Sequence, residues 1–325
     1  MRGPARRPRR LRHRETPDLT AVRLQQVSKR FGQHQAVSDL TLTVPRGAIW
    51  GFIGPNGSGK TTTLRMILHI LLADSGRIEV LGESAERAAN DRIGYLPEER
   101  GLYKKLKVKH LLAYYGALKG LSSGAARRAG LQWLDRLGLA DWADKKIETL
   151  SKGMAQKVQF IATVLHGPEL LILDEPYSGL DPVNLQVLRD AILELRRGGT
   201  TVLFSTHDML MAERMCDAVC MIYKGRKVLD GTLEQIRGRY GSDTVRLRAD
   251  GARELLAGHP AVSEVLDMGR YQEVRLRGDP QRLLADLVGR TRVELFEIAE
   301  PSLHDIFVRI AGPEQAVGST DGGGS

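Results

Sequence analysis

Gly54-Pro55-Asn56-Gly57-Ser58-Gly59-Lys60-Thr61-Thr62 is the most informative stretch of the chain. An apolar, strand-like segment, Ala48-Ile49-Trp50-Gly51-Phe52-Ile53, leads into it, and beyond it Leu64, Ile67, Leu68 and Leu71 recur at helical spacing. Strand, glycine-rich turn and helix in that order bring successive backbone N–H groups to a helix N-terminus, where the macrodipole adds positive potential. Glycine permits the tight backbone that this requires. The spacing fits G-x-x-x-x-G-K-[ST], so phosphate oxygens are the expected ligand. Gly54, Pro55, Asn56, Gly57, Ser58, Gly59 and Thr62 form the cradle, Lys60 reaches the β- and γ-phosphates, and Thr61 offers its hydroxyl to Mg²⁺.

A second stretch completes the chemistry. Leu170-Leu171-Ile172-Leu173-Asp174-Glu175 is an apolar strand that ends in two carboxylates, the place where a P-loop nucleoside triphosphatase holds its metal and polarises water. Asp174 is expected to bind Mg²⁺ and Glu175 to orient the attacking water or accept its proton. The runs 170–173 and 201–204 are short, continuously apolar and each followed by a helix, as buried parallel strands are. Residues 22–44 read as short β-rich segments. Residues 104–148 read as mostly helical, with Leu111, Leu112, Tyr115 and Leu118 on one face and Leu131, Leu134 and Leu137 on another.

Composition bounds what surrounds these motifs. The 325 residues suggest two domains, and 42% hydrophobic with 27% charged residues is a globular balance. The longest stretch without Asp, Glu, Lys or Arg is 47–59, far short of the about 20 apolar residues of a membrane span, so no spanning helix is expected. The net charge of +9 is misleading as a nucleic-acid signal. Arg2, Arg6, Arg7, Arg9, Arg10, Arg12 and Arg14 against Glu15 concentrate it in residues 1–18, read as a basic disordered arm. Cys216 and Cys220 make neither a disulfide framework nor a zinc site, and read as reduced, buried small apolar residues.

The pattern changes near Tyr240-Gly241-Ser242. Beyond it the order is strand, helix, strand, strand, helix, strand, with Val245, Leu247, Val274 and Leu276 alternating at period two. This predicts a small α+β ferredoxin-like accessory domain over 241–312, closed by a last helix around 302–310 and dispensable for the chemical step. Residues 313–325, rich in Gly and Ser at their end, are expected to be a disordered tail.

Leu150-Ser151-Lys152-Gly153-Met154, ahead of a helix that leads into the carboxylate strand, resembles the Leu-Ser-Gly-Gly-Gln signature of the ATP-binding-cassette family. The resemblance covers 22–231 and is carried by further motifs in the right order. Phe31 lies where the family stacks an aromatic on adenine. Glu98 takes the position of the glutamine that senses metal and the membrane subunit. Asp181, in Ser178-Gly179-Leu180-Asp181, lies in the loop that crosses to the dimer partner, and His207 matches the histidine that contacts the γ-phosphate. The departures are Lys152 for a glycine, Met154 for the glutamine and Glu98 for a glutamine. Lys152 either adds charge near the phosphates or points to solvent; the sequence leaves both open.

The resemblance implies an α/β cassette at 19–240 with a mostly parallel β core, a β-rich N-terminal subdomain and a helical subdomain at about 100–165. It implies an ATPase whose cofactors are ATP and Mg²⁺, with Glu175, His207 and Lys60 catalytic. Thr61, Glu98 and Asp174 would surround the metal, and two sites would form in a head-to-tail homodimer, each completed by Ser151 and Gly153 of the other copy. Residues 94–103 with 150–154 look like the subgroup of sodium-efflux and drug-export ATP-binding subunits. The implied partner is an integral membrane permease, which places the chain peripherally on the cytoplasmic face of the membrane. No specific nucleic acid is expected. A soluble cassette acting on nucleic acid or ribosomes is the alternative, but this chain has one cassette and no zinc-ligand spacing. A GTPase is disfavoured because Asn-Lys-x-Asp is nowhere present.

Overall fold

The computed structural model describes residues 19–88, 90–99, 101–240 and 244–318. The basic arm, the expected boundary at 241–243 and the tail at 319–325 lie outside the described residues.

The centre is a six-stranded sheet in the order β10-β9-β3-β8-β7-β6, built from β3 (Ile49–Ile53), β6 (Ile93–Leu96), β7 (Leu170–Asp174), β8 (Thr201–Thr206), β9 (Ala218–Tyr223) and β10 (Arg226–Thr232). All neighbours run parallel except β10, which returns antiparallel along β9. Period-two alternation explains the continuous apolar runs. Ile49, Ile53, Leu171, Leu173, Val202 and Phe204 enter the core on one face, and Trp50, Phe52, Leu170, Ile172 and Leu203 enter the core on the other. Cys216 and Cys220 are likewise buried in separate cores, both free, with burial raising their thiol pKa values.

Helices α1 (Lys60–Ile67), α5 (Pro182–Arg197) and α6 (Met209–Met215) follow strands β3, β7 and β8. An antiparallel sheet β2-β1-β4-β5 packs beside α1, with β1 (Thr20–Phe31), β2 (His34–Pro45), β4 (Ser75–Val80) and β5 (Glu83–Ser84). The helical subdomain is α2 (Val108–Leu118), α3 (Ser123–Arg136) and α4 (Lys152–Val164), packed through Leu111, Leu112, Leu134 and Phe160. Gly116 is the close-approach point, since a Cβ there would sit 2.6 Å from Ala126 Cβ on α3.

After α7 (Leu233–Tyr240) come β11 (Thr244–Ala249), α8 (Ala252–Leu256), β12 (Val262–Asp267), β13 (Gln272–Leu276), α9 (Pro280–Val288) and β14 (Val293–Ala299). Their sheet is antiparallel in the order β12-β13-β11-β14 and has a core of its own, Val245, Leu247, Val274, Leu276, Leu283 and Leu287.

The last helix departs from expectation twice. α10 (Leu303–Gly318) extends six residues past the expected end of the ordered chain, as propagation allows once its start is anchored. Its apolar residues Leu303, Ile306, Phe307 and Ala311 do not join the core of the small sheet. They join the main core of the cassette beside Met211, Ala212 and Met215 of α6. The reason is geometric: α8 and α9 already supply that sheet's core, while α6 offers an uncovered apolar face.

Candidate nucleotide-binding site

The glycine-rich loop is clamped between strands. Gly54 has φ 148°, and a Cβ there would lie 2.1 Å from Ile222 O on β9; Gly59 has φ 109°, where a Cβ would lie 2.4 Å from Ala36 O on β2. No other residue type fits either position. Because α1 starts at Lys60, its free N-terminal N–H groups open onto the same loop.

Lys60 is 6% exposed, and its Nζ donates to Gly54 O (2.8 Å) and Pro55 O (3.1 Å) and lies 3.8 Å from Glu175 Oε1. Burial lowers its pKa, and the carboxylates of Glu175, Asp174 and Glu98 pull against that shift. A desolvated ammonium facing the loop attracts a polyanion strongly, because phosphate oxygens replace its lost hydration.

Thr61 Oγ1 donates to Asp174 Oδ1 at 3.1 Å, and Ser205 Oγ bonds to the same oxygen. Asp174 is 1% exposed, and its second oxygen, Oδ2, is buried with no hydrogen-bond partner, as is Ser58 Oγ. Unpaired buried oxygens of this kind suit a hard cation and a polar ligand. Among the described residues no group of three or more His, Cys, Asp or Glu is arranged to hold a metal. Thr61 and Asp174 therefore fit Mg²⁺ that takes its remaining ligands from phosphate and water.

Glu175 follows β7 in the left-handed region, φ 48°, and is anchored there by its N–H, which donates to Ser205 O and Oγ. That turn sets its carboxylate on the wall of the cleft, with Oε1 3.0 Å from His207 Nδ1. The cleft encloses about 320 Å³ and is lined by Asn56–Thr62 together with Phe31, Glu98 and Glu175. Phe31 is 49% exposed on the rim of the cleft, with Lys29 Nζ over its ring 5.6 Å from the centre.

The remaining expected residues gather elsewhere. Ser151 caps α4, its Oγ accepting from Met154 N at 3.2 Å. A Cβ on Gly153 would lie 3.1 Å from the Asn184 amide nitrogen, and that amide donates to Asp181, the cap of α5. None of Ser151, Gly153 and Asp181 lines the cleft. Lys152 takes neither expected role alone: the residue is exposed, and its ammonium lies over Gly179, where a Cβ would approach it to 2.6 Å. His34 and Ala36 also line the cleft, and Ser205 Oγ bonds the Asp174 carboxylate and accepts from the Glu175 backbone N–H. Ser205 carried no motif signal; its placement follows from the register Asp174↔Ser205 between β7 and β8.

The ABC transporter family model matches residues 37–178, and the model of the C-terminal domain of DrrA1-3-like ATP-binding proteins matches 231–311. An uncharacterized ABC transporter ATP-binding protein of Bacillus subtilis, YhaQ, is 41% identical over 288 residues, 88% of this chain and 97% of the relative. The Nod factor export ATP-binding protein I of Burkholderia lata is 33% identical, over 91% of this chain and 98% of the relative. The linearmycin resistance ATP-binding protein LnrL of Bacillus subtilis is 30% identical, over 90% and 98%. A solved ATP-binding subunit of an ABC transporter superposes with TM-score 0.64 at 31% identity, covering 68% of this chain and 94% of that one. With a relative 41% identical along 97% of its own length and both family models matched, the chain belongs to the ATP-binding subunits of ABC transporters, ATPases coupled to transport.

Proposed function

We propose that this chain binds and hydrolyses MgATP as a head-to-tail pair and drives export through a separate integral membrane permease, seated on the cytoplasmic face of the membrane. The observation that carries the reading is the split of the site. The loop, Lys60, Thr61, Asp174, Glu175 and His207 form one connected constellation, whereas Ser151 and Gly153 stand outside its cleft. A second copy brings those two residues to the open side of the nucleotide, where a serine hydroxyl and a helix N-terminus contact the γ-phosphate. Export is supported by relatives named for Nod factor export and linearmycin resistance. A separate partner in the membrane is in keeping with relatives named as export and resistance ATP-binding proteins, and no described helix of this chain is long and apolar enough to cross a membrane.

In this reading Phe31 stacks on the adenine, and the loop N–H groups with Lys60 hold the β- and γ-phosphates. Thr61 and Asp174 hold Mg²⁺, with Glu98 adjoining it. Bound there, Mg²⁺ neutralises charge on the phosphate oxygens. Glu175 takes the proton of the attacking water while the water's oxygen bonds to the γ-phosphorus and the bond from that phosphorus to the β-phosphate oxygen breaks. His207 holds Glu175 in place.

The test is Glu175→Gln with MgATP, followed by size-exclusion chromatography with light scattering of the chain alone, and by hydrolysis assays with the membrane partner. Hydrolysis stalls with ATP bound, and the pair, twice the 35.9 kDa chain, accumulates and disperses with MgADP. Adding Ser151→Arg blocks pairing but not ATP binding. Normal hydrolysis by Glu175→Gln in the full complex would overturn the catalytic assignment.

A further inference from the structure

The last helix packs on α6, the helix that follows His207. α6 begins directly after His207-Asp208, and Asp208 ties that start down, its N–H donating to Thr206 Oγ1 (3.0 Å) and its carboxylate accepting from Met211 N (3.0 Å). A seven-residue helix has little stability of its own, so its tertiary anchors set its orientation. Met211, Ala212 and Met215 anchor it against Leu303, Ile306, Phe307 and Ala311 of α10.

One polar side chain locks the pair. Glu213 of α6 is 13% exposed; its Oε1 accepts from Leu303 N at the first turn of α10, and its Oε2 lies 3.3 Å from Arg237 Nη2. Arg237 in turn pairs with Glu300 at 3.0 Å. A carboxylate at a helix N-terminus gains from both the charge-assisted bond and the dipole. α10 is itself fixed on the cassette, since Phe307 meets Tyr223 edge to face with ring centres 5.6 Å apart and Arg309 donates to Tyr240 O.

We propose that Glu213 is a positioning residue for hydrolysis: by bonding the start of α10 it holds α6, and with it His207, against Glu175. The C-terminal helix thereby sets turnover. The inference rests on the catalytic roles proposed for Glu175 and His207.

The test uses the full-length chain with its membrane partner. Glu213→Ala lowers kcat about tenfold, a displacement effect at a reacting group, while KM and Kd for MgATP stay within twofold. Glu213→Gln, whose amide oxygen still accepts from Leu303 N, recovers at least a third of the wild-type kcat. An alanine variant with wild-type kcat, or a loss that glutamine does not recover, overturns the proposal. Should Glu213→Ala fail to fold, hydrogen exchange of the wild-type chain decides. Amides of 207–215 and 303–311 open together if Glu213 couples them, and independent opening of the two segments overturns the coupling. His207→Ala separates the two readings: wild-type turnover there removes the catalytic role, whereas an inactive His207→Ala beside an unaffected Glu213→Ala removes only the brace.

Discussion

Thr61 Oγ1 and Asp174 Oδ1 lie 3.1 Å apart although 113 residues separate them in sequence. They meet because β3 and β7 both run parallel to β8, which lies between them, so the loop after one strand and the carboxylates ending the other emerge at the same edge of the sheet. That edge, beyond the carboxyl ends of parallel strands, is where ligands of α/β sheets bind.

Lys60→Ala removes an ammonium in the cleft that the carboxylates Glu175, Asp174 and Glu98 all attract. ATPase activity is expected to fall by at least about 10²-fold, with weaker ATP binding, because phosphoryl transfer depends on charge placed in advance. Steady-state hydrolysis and nucleotide titration measure both, after circular dichroism has established that the variant folds. Wild-type turnover is the result that sinks the assignment.

Glu98→Gln tests the carboxylate that stands where a glutamine is usual. Glu98 is exposed on the wall of the cleft. If its charge adjoins Mg²⁺, the neutral amide raises the Mg²⁺ concentration needed for half-maximal activity at saturating ATP. An unchanged Mg²⁺ dependence confines Glu98 to contacts with the permease.

His166 makes stability depend on pH. Burial, helped by the charge of Lys119, pushes its pKa from 6.5 down to about 4. The unfolded chain therefore binds the proton more readily between those values, so the stabilisation is complete above pH 6.5 and is lost as pH falls from 6.5 to about 4. Melting temperature followed across that window should drop in the wild-type chain and drop less in His166→Leu. Parallel curves would show that another group carries the dependence.

Ending the chain at Tyr240 removes Leu303, Ile306, Phe307 and Ala311 from the main core. The truncated cassette should retain ATP binding, since every residue of the cleft precedes Tyr240, but melt several degrees lower and bind a hydrophobic dye. Replacing 241–301 with a short Gly/Ser linker keeps α10 and should restore the melting temperature. Equal stability of the truncated and relinked chains would show that α10 adds nothing to the cassette.

Some of this was settled by the chain itself. The loop 54–62 and the strand 170–175 announce their chemistry because backbone conformation is local: glycines at left-handed positions, a lysine at a helix start and apolar residues ahead of two carboxylates need no distant partner to be recognised. The order of strands and helices after Tyr240 was legible for the same reason, since periods of two and of 3.6 are written residue by residue. What the tertiary structure decided depends on register and on competition between surfaces. Ser205 reaches Asp174 only because β8 lies beside β7 in that register, Lys152 settles over Gly179, and α10 docks on α6 rather than on the sheet it follows. Amphipathicity specifies that a helix must bury a face but not which apolar surface it covers, and that choice belongs to the folded molecule.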